Sequence, residues 1–410
     1  MTTESAVEEA HRVVVTGLGV VSPIGIGRAQ FWDELCAGRS GIAPAADAAR
    51  IPTIAAAARD FDAKAFIDSP HLRRMDHFSR MIVAASRMAL DDAGMPLAEA
   101  ASDRVGIVVG TALGDLSESA TYIEKVFTKG PAAASPMLFP NLVLNSAAAY
   151  ASMIFGCTGI NLTVAQAETS GEHAIRLGCE MVRAGRADVV LAGGGDELAP
   201  ILTEVHRQAR ALSGQRGGDE WCSPYDRRRN GLVLGEGAAM LVLESAVHAT
   251  MRGVHSYAEI AADAGCSVPA PLYDWPDTAI AALRPLQRLL GDRAPDLICG
   301  AANSSRVLDA VEMDLFGRVC GERSETLVTS IKGAIGEFGG AGALTVAAAC
   351  LALREQAVPP LCHRREPEHV TAFRFAPTQA VAHPLDRVLV FGLGHGGSGI
   401  ALLLRRTTPR

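Results

Sequence analysis

The sequence predicts an α/β protein of layered strands and helices, and three observations carry that expectation. Short apolar runs alternate with amphipathic stretches along most of the chain, the pattern of strands linked by crossover helices. Hydrophobic residues make up 49% of the 410 residues and charged residues 20%, enough to fill a large core and, at about 100–200 residues per domain, long enough for two domains. Aromatics are only 5% while glycine numbers 41, a mix that suits layers whose backbones approach closely.

Taken in order, the first strand is expected over Arg12–Gly19, followed by helices over Ala29–Ala37 and His77–Ala93. Arg104–Gly110 reads as the next strand. Asn161 through Gly171 reads as a buried strand, a sharp turn and the start of a helix that continues over Gly171–Ala184. Strands follow at Ala187–Gly193 and Ala238–Glu244, and a division between halves is expected near Ala246–Gly253. Beyond it come a helix (Trp275–Leu290), a strand (Leu297–Ala301), a helix (Arg306–Val319), a strand (Thr326–Ile331) and a helix (Gly342–Arg354). Two strands, Arg387–Gly392 and Gly399–Leu404, close the pattern, and the connections are expected to be mostly parallel. The tracts Ala45–Ala49, Ala55–Ala58 and Ala132–Ala134 read as loops or helix surface, and no short repeat marks a solenoid.

Several function classes fall away on composition. The formal net charge of −7 disfavours nucleic acid as a partner. No apolar run of about 20 residues is present, so no membrane span is expected. The first ten residues are acidic and lack the basic and apolar regions of a signal peptide, so a cytoplasmic location is expected. Nine cysteines are scattered without a CxxC pair, which reads as reduced thiols rather than disulfides or a metal site. No cofactor or metal is expected. Arginine dominates the cations, and Arg227-Arg228-Arg229 reads either as a solvated loop or as a contact for an acidic partner.

The segment around residue 168 has the strand–turn–helix layout of a nucleophile elbow, which presents a reactive side chain at a helix N-terminus. Three further motifs occur in order: Arg12-Val13-Val14-Val15-Thr16-Gly17-Leu18-Gly19 with Phe31-Trp32 and Gly38-Arg39-Ser40-Gly41-Ile42; Ala187 to Gly195; and Pro224-Tyr225-Asp226-Arg227 running to Ala238. Together they resemble the beta-ketoacyl synthases of fatty-acid and polyketide assembly, over about residues 12 to 404. The resemblance implies the thiolase-like fold, a five-layered α-β-α-β-α sandwich of two similar halves, and an obligate dimer. It implies a tail over residues 1–11, an N-terminal half over 12–250 and a C-terminal half over 251–410.

In that family the elbow residue is a cysteine that carries the acyl chain, activated by the helix dipole. Two histidines stabilise the enolate left when CO2 departs. Here Glu168 stands at the elbow, Ala301 at the first histidine position and Glu337 at the second, five residues after the retained Lys332. Asp309 and Glu312 keep the expected offsets from Ala301, and Asn303 is a possible donor two residues on. Glu168 either caps the helix or occupies the acyl-attachment point and makes it inert; a pairing with Lys332 is a further possibility. Two carboxylates in one pocket are expected to repel a malonyl carboxylate. His395, in the loop Phe391 to Gly397, offers a relocated histidine but no nucleophile accompanies it.

A kept scaffold with all three catalytic positions replaced resembles the chain-length factor, or ketosynthase beta subunit, of type II polyketide synthases. That implies no independent activity, a heterodimer with a cysteine-bearing ketosynthase alpha subunit, an acyl carrier protein as second partner, and a role in shaping the tunnel that sets polyketide or polyene chain length. The elbow motif departs from the Gln-Ala-Gly-Gly-Leu-Asp common in that group, which leaves aromatic and polyene branches open. Gly114–Lys129 resembles the chain-length helix, with Leu116, Glu118, Thr121, Tyr122 and Phe127 as tunnel or partner-facing residues. Met137, Leu138 and Phe139 are the apolar residues of a loop expected to cross the dimer interface. Two alternatives remain: a malonyl-carrier-protein decarboxylase supplying starter units, and a homodimer using Glu168 as a general base.

Overall fold

The computed structural model describes residues 12–45, 54–68, 70–96, 102–321 and 324–407. The 1–11 tail and most of the Ala45–Ala49 tract lie outside them. Ten principal strands are β1 (Val13–Ser22), β2 (Val105–Gly110), β3 (Asn161–Val164), β4 (Val189–Asp196), β5 (Gly237–Ser245), β6 (Ala258–Ser267), β7 (Leu297–Cys299), β8 (Leu327–Thr329), β9 (Arg387–Leu393) and β10 (Ser398–Arg405). The helices are α1 (Arg28–Cys36), α2 (His77–Asp92), α3 (Leu116–Lys129), α4 (Ser146–Phe155), α5 (Ser170–Arg183), α6 (Pro200–Gln208), α7 (Ala246–Arg252), α8 (Ile280–Leu290), α9 (Arg306–Cys320) and α10 (Ala341–Glu355).

The two halves repeat one topology. In the first the strand order is β3-β2-β4-β5-β1, and in the second β8-β7-β9-β10-β6. In each, three parallel strands are followed by two antiparallel ones. The halves join where Val13–Val15 of β1 pair antiparallel with Ala258–Ile260 of β6. The expectation of mostly parallel connections is corrected here. β9 and β10 are separated by four residues, and so short a link can only return antiparallel.

Five layers result. α2 and α4 cover the outer face of the first half, α8 and α9 that of the second, and α5 and α10 lie between. Ala341 through Leu353 of α10 are all buried, which explains a helix of Ala, Gly and Leu with no polar face. Close approach is literal at its start, where a Cβ on Gly340 would lie 2.1 Å from the backbone nitrogen of Gly195. The thiolase-like five-layered sandwich expected from the resemblance is the fold observed.

Local differences have identifiable causes. β6 reads Ala-Glu-Ile-Ala-Ala-Asp-Ala-Gly-Cys-Ser, a poor strand former by propensity. Pairing with β10 and β1 imposes it, and Asp263 on it receives Arg176 and Arg183 of α5 at 2.7 and 2.9 Å. α8 starts at Ile280 rather than Trp275, because Trp275 stays in the preceding loop against His395, ring centroids 3.9 Å apart. β3 is an exposed edge strand with Leu162 in solvent, not a buried one. No helix among the described residues is long and apolar enough to cross a membrane.

Candidate active site

β3 runs into a tight elbow before α5. Ala167 takes the left-handed conformation at φ 48°, unusual for a residue with a Cβ. The turn is held by Thr169 Oγ1 donating to the Gln166 carbonyl at 2.8 Å and Ser170 Oγ donating to that of Ala167 at 2.7 Å. This is the strained presentation that an elbow residue needs.

Glu168 does not cap α5. Its carboxylate turns to the β9–β10 loop, with Oε1 2.7 Å from His395 Nδ1 and Oε2 accepting the His395 backbone N–H at 3.0 Å. Trp275 roofs the imidazole. Burial pushes the Glu168 carboxyl up, but the hydrogen bond and charge of His395 outweigh it and hold it at about 2. Burial pushes His395 down, yet Glu168 raises it above its ordinary value. Each group thus favours the charged form of the other.

Of the other two positions, Glu337 lines one cavity with Glu168, and Ala301 lies two residues before Asn303, which bonds Glu337. Ala301 is buried, and its N–H donates to Glu312 Oε1 at 2.8 Å. Glu312 also takes the Ala302 N–H and the Tyr225 hydroxyl, both at 2.8 Å, while Asp309 takes the Tyr225 and Asn303 N–H groups at 2.8 and 3.0 Å. These carboxyls therefore shape the β7–α9 loop; burial pushes them to about 8 and about 7. Lys332 pairs with Glu337, not with Glu168: Nζ lies 2.5 Å from Glu337 Oε1. Asn303 Nδ2 donates to the other oxygen at 2.7 Å. Burial lifts Glu337 above its ordinary value, against the pull of Lys332.

The two carboxylates expected to repel a malonyl carboxylate each have a partner, Glu168 in His395 and Glu337 in Lys332. The cavity between Glu168, Glu337 and Phe338 holds only about 50 Å³, room for a water or two. One residue escaped the sequence reading: Glu172, buried in the first turn of α5 against Gly342, has an Oε2 with no hydrogen-bond partner and is pushed to about 7 by burial. Its signal was there, as a charge one turn past the elbow on an otherwise apolar helix face.

The outward-facing residues behave differently. α3 buries none of its side chains. Phe127 is 84% exposed, Met137 61% and Phe139 59%. Tyr122 leans on Phe139 at 6.5 Å between ring centroids. Leu138 is half-buried and Leu116, also half-buried, borders the cavity. Glu118 turns inward to Asn141 Nδ2 at 3.1 Å, and the Thr121 hydroxyl bonds back to the Ser117 carbonyl at 3.0 Å. Within the arginine triplet, Arg228 stacks on Trp221 and bonds Asp226 at 3.0 Å, and Arg229 is buried against Glu368. Two of the three are structural.

The N-terminal domain of beta-ketoacyl synthases matches residues 10–249, and the C-terminal domain matches 293–365. The chain belongs to the beta-ketoacyl synthase family. It is 33% identical to 3-oxoacyl-[acyl-carrier-protein] synthase 2 of Coxiella burnetii, over 97% of this chain and 99% of that one. It is 34% identical to the tetracenomycin polyketide synthase ketoacyl synthase alpha subunit of Streptomyces glaucescens, over 96% and 97%. Among solved structures it resembles the ishigamide ketosynthase/chain length factor with a TM-score of 0.89 at 27% identity, covering 97% of this chain and 99% of that chain. This member of the family carries Glu168 at its strand–turn–helix elbow, with Asp309 and Glu312 holding the loop before α9.

Proposed function

We propose that this chain is the non-catalytic, chain-length-factor subunit of a type II polyketide ketosynthase, paired with a cysteine-bearing alpha subunit in the cytoplasm. One observation carries the reading. The elbow carboxylate is spent on His395 and the donors Lys332 and Asn303 are spent on Glu337, so no thioester can form and no enolate is stabilised. The family resemblance supplies the partner, and the exposed Phe127, Met137 and Phe139 favour it, since such an apolar surface is costly to leave in water. In this reading α3 and the Ser135–Pro140 loop face the alpha subunit and limit its tunnel.

A carrier protein fits a second surface. Lys64, Arg73 and Arg80 line a cleft of about 600 Å³ with Asp62 and Asp68, and the excess of cations over carboxylates there favours an acidic partner.

The test is to express the chain with and without a cysteine-bearing ketosynthase, add malonyl carrier protein and follow the carrier by intact mass. We expect inactivity alone, and elongation by a one-to-one complex that vanishes when only the partner's cysteine is replaced. Release of CO2 by this chain alone would overturn the reading in favour of a decarboxylase.

A further inference from the structure

Glu337 is 3% exposed, yet its carboxylate is fully liganded. Its two donors are held in place without it. Asn303 is fixed by its N–H on Asp309 at 3.0 Å and by its Oδ1, which accepts the Ser305 N–H at 3.0 Å. Lys332 opens a short helical turn, Lys332–Ile335, whose residues are all buried, and its backbone N–H donates to Ser330 Oγ at 3.3 Å. Glu337 is anchored through its backbone, with its N–H on the Val233 carbonyl at 2.8 Å and its carbonyl accepting from Gly235 at 3.0 Å. The side chain thus projects into a preformed pair of donors rather than creating them.

We propose that Lys332 and Asn303 form a buried carboxylate-binding site, and that the chain's own Glu337 is its resident carboxylate. The ligand class follows from the geometry. One ammonium and one amide donor, 2.5 and 2.7 Å from the two oxygens of one group, match a monocarboxylate. The available space limits it to about the size of formate or acetate. Glu337 borders the cavity of about 50 Å³, whose rim includes the exposed Leu113. Trimming the side chain to its Cβ would merge its volume with that cavity and remove the one carboxylate bonded to the ammonium, leaving only the fields of Glu172 and Glu168, which make no bond to it, a drive for a small anion to enter. In the native chain the site is self-occupied and therefore shut to free or carrier-borne carboxylates.

The inference does not depend on the subunit reading, because its test needs this chain alone. The melting temperature of full-length Glu337→Ala is measured with sodium formate and with sodium chloride at matched ionic strength. The substitution is expected to lower the melting temperature by on the order of 5 °C, and formate to restore it along a saturable curve, with pivalate, too bulky for the site, acting like chloride. Native chain and Glu337→Gln, whose site is filled, should respond to formate only as to chloride. Adding Lys332→Met to Glu337→Ala should remove the formate response. If formate and chloride act alike on Glu337→Ala, or if the response survives Lys332→Met, the proposal is wrong. Should Glu337→Ala prove too unstable to purify, its refolding yield reads the same question: a formate-selective gain is expected, and equal yields in the two salts refute the site. Carrier elongation in the reconstituted complex can succeed or fail without altering either outcome.

Discussion

The elbow region and the α3 face are opposite in how completely this chain satisfies them. Around the elbow, Glu168 meets His395, Glu337 meets Lys332 and Asn303, and Asp309 and Glu312 are filled by backbone N–H groups. On α3 no side chain is buried, and Phe127 and its neighbours Met137 and Phe139 stand in water. The inward carboxylates meet the chain's own residues; the outward face leaves large apolar side chains in water. The exception inside is Glu172, whose buried Oε2 has no hydrogen-bond partner.

The interior half of that comparison breaks most violently. Lys332→Met should leave Glu337 buried and unpaired and cost about 3–5 kcal/mol of stability, read as a drop in the denaturant midpoint. Replacing both partners by apolar residues of similar volume should recover most of it. Recovery would show that the pair is tolerated for what it fills rather than for its ionic character. No recovery would assign it a role beyond packing.

The exterior half should respond through association instead. Phe127→Asp is expected to leave the melting temperature of the isolated chain nearly unchanged and to weaken pairing with the alpha subunit by about 2–4 kcal/mol, the range of an interface hot spot. Analytical ultracentrifugation of the mixture reads it. A fall in the isolated chain's stability would mean that the helix packs within the monomer after all.

The smallest effect sharpens the elbow itself. Glu168→Gln should cost about 1–3 kcal/mol, the range for a hydrogen bond to a charged group, and the cost should depend on pH. A raised His395 contributes fully below the ordinary histidine value and loses its contribution as pH climbs through its raised one. A Glu168 held at about 2 contributes fully above the ordinary carboxylate value and loses it as pH falls towards 2. The gap between native chain and variant should therefore be widest at about pH 5–6.5 and narrow on both sides. A gap that is flat with pH would show that the two groups are not an ion pair.

Much of this molecule was legible before any fold was drawn. Nine of the ten principal strands, all but β6, follow apolar runs and turn residues, because those are local signals of period and propensity. Glu168, Ala301 and Glu337 were located by their offsets within motifs, and offset is a property of the chain alone. Even the shaping carboxyls, Asp309 and Glu312, stand where one α-helical turn must place them together.

What the chain order could not disclose is who meets whom. His395 lies 227 residues from Glu168, and only the close approach of the β9–β10 loop to the elbow decides that it, rather than Lys332, answers that carboxylate. β6 is a strand because β1 and β10 flank it, against the preference of its own alanines. The same holds for burial. α10 was expected from pattern and α3 from the resemblance, but α10 is sunk between the two halves while α3 buries none of its side chains, and that difference depends on the packing of layers that no local window contains. Sequence sets which groups are present and in what order. Tertiary packing sets which charges are neutralised and which surfaces are left to a partner, because Coulomb pairing and burial act over distances in space that the covalent chain does not encode locally.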